Sequence, residues 1–177
     1  MTTTDVIAPT RATAGDVGLL ILRIGIGAAM LQAGLIKAFD FGTTVEFMAA
    51  GGWRMPTLAA LMVTTAETLG GVGLILGVLT PLAAFAVIAA MFDAWAVNVA
   101  AAAFWSMPFN APFLIGLGAT TVLFAGAGAY SIDARIVGRS TWSPRTAVGV
   151  LVAAAAAAAL TWVALNDTNP IHFTTPA

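Results

Sequence analysis

TLAALMVTTAETLGGVGLILGVL at residues 57–79, then Thr80, then PLAAFAVIAAMFDAWAVNVAAAA at residues 81–103, decide the fold. Each run holds about 20 predominantly apolar residues, which at about 1.5 Å per residue crosses a hydrocarbon core of about 30 Å. Alternation of period two is absent, and the runs are too long for barrel strands, so both are read as helices. Only Leu79-Thr80-Pro81 marks the bend between them. Proline suits a first helical turn, where its missing N–H would have no helical partner anyway. The two helices are therefore expected as tight antiparallel neighbours.

Three more runs of spanning length follow the same pattern: Val17–Phe39 before this pair, then Pro112–Tyr130 and Ala147–Leu165 after it. The first is too long for a secretory signal core and carries Arg23 and Lys37, so it reads as a retained helix. Composition agrees. Hydrophobic residues make up 60% and charged residues 8% of the 177, against a usual charged share of about 25%. That excludes a water-soluble globule and a disordered chain alike. With no cysteine, disulfides, thiolate ligands and thiol redox chemistry are excluded from this chain. A net charge of −1 argues against nucleic acid. No zinc signature or phosphate loop is present, so no metal site is expected.

The expected fold is all-α and polytopic: a four-helix transmembrane bundle with a fifth, peripheral transmembrane helix. Residues 1–16 form a polar cytoplasmic tail, 17–135 the bundle, 147–165 the additional helix and 166–177 a short outward tail. The Asp40–Pro56 connection mixes Val45, Phe47, Met48 and Trp53 with Glu46 and Arg54; an interfacial helix and an ordinary loop both stay open. With five spans, Arg11, Arg135, Arg139 and Arg145 share one side, against Arg54 and Lys37 on the other. Basic residues favour the cytoplasm, so the N-terminus is expected inside and the C-terminus outside a bacterial inner membrane. The lone His172 falls in the outward tail and is expected to be solvated rather than a ligand.

Three ionisable residues fall inside the runs: Arg23, Glu67 and Asp93. A charge at mid-membrane costs roughly 2.5–3.5 kcal/mol on insertion scales, so such residues are paired or used. Counting from the cytoplasmic edge puts both carboxylates about 18 Å deep and Arg23 about 9 Å deep. On this count Arg23 pairs with Glu67, Asp93 lies nearby, and the group holds one exchangeable proton. A packing-only ion network, a redox or quinone-head site and a transport path remain open. Thr64 and Thr68 flank Glu67, donating to it or to their own helix. Gly25, Ala29 and Ala33 form a small-residue row expected inside the bundle, leaving Ala153–Ala159 as the face for protein partners.

The ordered set of motifs also carries a family resemblance. Leu22-Arg23-Ile24-Gly25-Ile26-Gly27 with Gly34, Lys37 and Phe39 resembles the opening of the DoxX family of small membrane proteins. Ala66-Glu67-Thr68-Leu69-Gly70-Gly71 and Leu76-Gly77 resemble its second helix, and Phe104-Trp105 and Tyr130-Ser131-Ile132-Asp133 its later part. The likeness covers about residues 17–135. It implies a four-helix membrane bundle with Arg23 and Glu67 at matching positions and with Gly27, Gly34, Lys37, Gly70 and Gly71 as structural positions. It further implies a subunit of an oxidoreductase or oxidative-stress complex. Members are known in thiosulfate:quinone oxidoreductase, and others in complexes with a superoxide dismutase and a sulfurtransferase. Quinone is therefore the candidate cofactor, and Arg23, Glu67 and Asp93 are the candidate catalytic residues. Ala33 and Asn110-Ala111 stand where many members have a His and a Glu, so this chain lacks two proton-carrying groups. A non-catalytic accessory subunit and a small transporter or proton path are the alternatives.

Overall fold

The computed structural model describes residues 12–166 and 168–175. Arg11 and most of the expected polar tail lie outside the described residues. Six α-helices follow in order: α1 (Ala14–Phe39), α2 (Phe41–Ala50), α3 (Pro56–Leu76), α4 (Thr80–Ala100), α5 (Ala111–Ala125) and α6 (Pro144–Leu165), with one π-helical turn at Asp133–Val137. No strand occurs among the described residues. The short α2 settles the Asp40–Pro56 connection in favour of a helix, begun by the Asp40 carboxylate accepting from Thr43 N–H.

Helices α1, α3, α4 and α5 close a ring, each packing on the next and α5 returning to α1. Met30, Leu74, Val87, Ile88, Val122 and Leu123 fill its core. Lipid gives helices no hydrophobic drive toward one another, so close backbone approach must serve. Glycines provide it: a Cβ at Gly27 would strike the Gly71 carbonyl, one at Gly34 the Thr68 backbone, and one at Gly71 the Leu31 backbone. The row expected to pack inside does not. Gly25 and Ala29 are exposed, and a Cβ at Gly25 would meet open space. The packed stripe is Gly27–Met30–Gly34, offset from that row by one to two residues. Composition alone does not rank two small-residue rows on one helix.

Helices α1, α3, α4 and α6 are long and apolar enough to cross a membrane. The chain is an all-α, multi-pass membrane protein. The span expected over Pro112–Tyr130 is shorter: α5 stops at Ala125, where Gly126 takes φ +95° and Gly128 φ +73°. The chain after it is held from α1, with Asp16 accepting from Ala129 N–H at 2.8 Å and Arg23 donating to the Tyr130 carbonyl at 2.7 Å. Helix α6 packs outside the ring, mainly on α4, burying Ala154, Ala158 and Trp162 while Val152, Leu160 and Val163 stay exposed.

Candidate functional site

The bundle has two polar ends. At the hairpin end, α3 stops at Gly77 in the left-handed conformation (φ +62°) and α4 starts after Leu79, also left-handed (φ +46°). A helix C-terminus exposes carbonyls and a helix N-terminus exposes N–H groups. Arg23, fully buried, serves the first, donating to the Leu74 and Ile75 carbonyls at 3.1 and 3.4 Å. Asp133 serves the second, accepting from Leu79 and Thr80 N–H at 2.9 Å each. The cation sits at the negative end of one helix dipole and the anion at the positive end of the next.

Arg23 therefore does not pair with Glu67. Gly27 opposite Gly71 and Gly34 opposite Thr68 set the antiparallel register of α1 on α3. Continuing it brings Arg23 to the Gly77 turn and Lys37 to the level of Glu67. Lys37 and Arg23 are fourteen residues apart on one helix, about 21 Å. The Lys37 ammonium meets the Glu67 carboxylate at 2.6 Å, and the Glu67 side chain is almost wholly buried. The depth count failed because it sent Lys37 to the interface, whereas its side chain turns inward.

The two carboxylates are not level either. Gly70 abuts Val87 and Gly73 abuts Ala83, a register that sets Glu67 opposite about Ala89 and Asp93 about one helical turn, some 6 Å, nearer the α2 end. Asp93 is half-buried and has no hydrogen-bond or ion-pair partner among the described residues. The Thr64 and Thr68 hydroxyls make no hydrogen bond, to Glu67 or to their own helix.

Glu67, Lys37 and Asp93 share a cavity of about 470 Å³. Its floor is a stripe of α4 from Phe85 through Ala89 and Asp93 to Asn98. One wall is α3, with Met62, Val63 and Ala66; the other is α6, with Ala157, Ala158 and Thr161. Both helices pack on α4 rather than along each other, so the groove between them faces the bilayer. Near the α2 end the connection from α2 to α3 is tied to α6. There the Arg54 N–H donates to the Leu165 carbonyl at 2.6 Å, Asn166 donates to the Gly51 carbonyl at 3.0 Å, and Trp53 meets Trp162 edge-on at 5.6 Å. The polar groove thus lies between the four-helix ring and the fifth helix, not at the ring's centre. Sequence reasoning missed three contributors: Lys37 as Glu67's partner, Asn98 as a groove residue and α6 as a wall. Only the glycine register carried a signal for the first.

A Lys ammonium has three N–H donors. Lys37 gives one to Glu67 and one, at 3.4 Å, to the Ala33 carbonyl, and its side chain remains 27% exposed. The groove thus offers one cationic donor, one unpartnered carboxyl and long apolar walls. Among the described residues no group of three or more His, Cys, Asp or Glu side chains is placed to hold a metal ion.

No curated protein and no solved structure matches the chain. The model of the DoxX family matches residues 18–103, from α1 to just beyond α4, so this stretch, a little under half of the chain, is a DoxX-like membrane domain.

Proposed function

We propose that the protein is the membrane subunit of an oxidoreductase or oxidative-stress assembly and that the groove receives the head of a membrane-dissolved quinone. The observation that supports this best is a lipid-facing groove with apolar walls that ends on an ammonium and an unpartnered carboxyl. A quinone enters from lipid, its ring and first tail units suit such walls, and its carbonyl oxygens accept hydrogen bonds. Lys37 would donate its remaining N–H to one carbonyl, and Glu67 would hold Lys37 in position. Asp93 would exchange protons with the head. A bound quinone would supply an acceptor for two electrons and two protons, the electrons coming from a partner subunit that oxidises a reduced sulfur compound or a reactive oxygen species. Arg23 takes no part; it holds the hairpin.

The test is titration of the purified protein with a short-tailed ubiquinone while following tryptophan fluorescence, since Trp53 lines the groove. Saturable quenching that is lost in Lys37→Met supports the reading. Quenching that never saturates, or that is equal in the variant, overturns it. The outer face of α6 favours protein partners in the same assembly. Ala153, Ala155, Ala156 and Ala159 are exposed there while Ala154 and Ala158 face the bundle, leaving a smooth surface on which another helix can approach closely. A superoxide dismutase or a sulfurtransferase is the partner class that the family resemblance suggests. If Ala156→Leu leaves the size of complexes extracted in mild detergent unchanged, that face carries no partner. The charge asymmetry supports an N-terminus in the cytoplasm and α2 on the outer side of a bacterial inner membrane.

A further inference from the structure

The groove is lopsided along the membrane normal. On α4 its lining runs from Phe85, in the second turn, to Asn98, two residues short of the helix end at Ala100. On α3 it runs from Ala59, in the first turn, only as far as Glu67. It therefore reaches about one turn below Glu67 along α4 and runs from there to the α2 end, where Phe47, Met48 and Trp53 also line it. The polar groups follow the same line: the Lys37–Glu67 pair lies deepest, Asp93 one turn nearer the α2 end, and exposed Asn98 beyond it.

Beyond Phe85, in the other direction, the helices close up. Below Glu67, Gly70 and Gly73 pack directly on Val87 and Ala83, and Leu74, Ala84 and Val87 are completely buried. Beneath them Arg23 and Asp133 hold the two helix ends. A proton or water crossing this half would meet apolar side chains, glycine backbone and the isolated buried hydroxyls of Thr68 and Thr80, which lie too far apart along the helices to form a continuous path, and such a crossing is costly in a dry interior.

We infer that the groove exchanges protons and water with one membrane face only, the α2 face, along Asp93 and Asn98. The inference rests on the groove being a ligand site and adds its sidedness. A head group bound there takes protons from and returns them to the α2 side. If electrons arrive on that side too, turnover moves no net charge across the bilayer.

The absence of cysteine makes the test direct, because every introduced thiol is unique. Asp93→Cys and, as a second probe that keeps all three ionisable groups, Ala90→Cys are placed in proteoliposomes of one orientation. A charged, membrane-impermeant thiol reagent is applied to either side. Glu46→Cys on exposed α2 and Ile136→Cys on the exposed π-helical turn mark the two faces. The expected result is that both groove thiols are labelled only from the side that labels Glu46→Cys. Labelling from the Ile136 side, from both sides, or from neither overturns the inference. The assay contains no quinone. One-sided labelling without quinone binding would sink the proposed ligand and leave the sidedness standing, and the reverse pair of results would do the opposite.

Discussion

At the hairpin end, Arg23 and Asp133 are buried and spend their hydrogen bonds on helix termini that would otherwise be orphaned. At the α2 end, Lys37 and Glu67 satisfy each other, but Asp93 satisfies nothing and all three border open space. Both ends bury charge away from water, against a desolvation cost that each must offset. The difference is what the charge faces: backbone in one case, a void in the other. Burial and charge together do not identify a reactive group; an unspent valence beside a cavity does.

The comparison is broken most severely at the hairpin. Arg23→Ala leaves the Leu74, Ile75 and Tyr130 carbonyls without their donor, and each buried acceptor so stranded costs about 1–3 kcal/mol. A loss of about 3 kcal/mol or more is expected, read as the largest drop in thermal unfolding temperature in detergent. Arg23→Lys should rescue little, because one ammonium cannot reproduce a planar fork serving two elements. A variant as stable as the parent would show that the turn holds itself.

Lys37→Met should come next. It strands Glu67 beside an apolar wall, and removing one member of a buried pair costs about 3–5 kcal/mol; partial exposure of Lys37 places the expected loss near the lower figure. The combined Lys37→Met and Glu67→Gln protein should regain most of that stability and still fail to bind quinone. Recovery of stability and binding together would reduce the pair to packing.

Much of this contrast was legible in the sequence, and the part that was not has a physical reason. The helices other than α5 and the tight α3–α4 hairpin followed from apolar run lengths and from Leu79-Thr80-Pro81. Arg23, Glu67 and Asp93 were visible as charges in apolar runs. Their partners were not, because a depth count fixes a residue along the normal only to within a turn or two, and long side chains reach further than that. Lys37 turning inward to Glu67 is decided by the offset of α1 on α3, set by Gly27 and Gly34 against Gly71 and Thr68. Asp133 was passed over because it caps a helix more than fifty residues away in sequence. The stop at Ala125 depended on Gly126 and Gly128, and glycine is too common in membrane helices to mark an end by itself.

Asp93→Asn sharpens the comparison with a smaller structural effect. No partner is lost, so stability should change by no more than about 0.5 kcal/mol, as at positions away from any network. Quinone turnover by the assembled complex should nevertheless fall to background while quinone still quenches tryptophan fluorescence. Unchanged turnover would remove Asp93 from the proton route.

The smallest expected effect is that of Ala157→Leu. It adds three methylene-sized groups to the α6 wall and touches none of the polar residues. Unfolding temperature should stay near that of the parent, while the affinity for short-tailed quinone falls as the groove narrows. Equal affinity would mean that the head sits against α3 alone.

The DoxX match ends at residue 103, whereas the wall formed by Ala157, Ala158 and Thr161 belongs to α6, far beyond it. The recognisable domain thus supplies the ionisable groups of the groove and a helix beyond it completes their enclosure. Such a division of labour lets the shape of the recess drift without disturbing the scaffold, since α6 can exchange small residues for large ones while the ring of four keeps its glycine-set register. Related chains with the same core and different C-terminal helices would then be expected to accept differently sized guests, and a transplanted α6 should carry that preference with it.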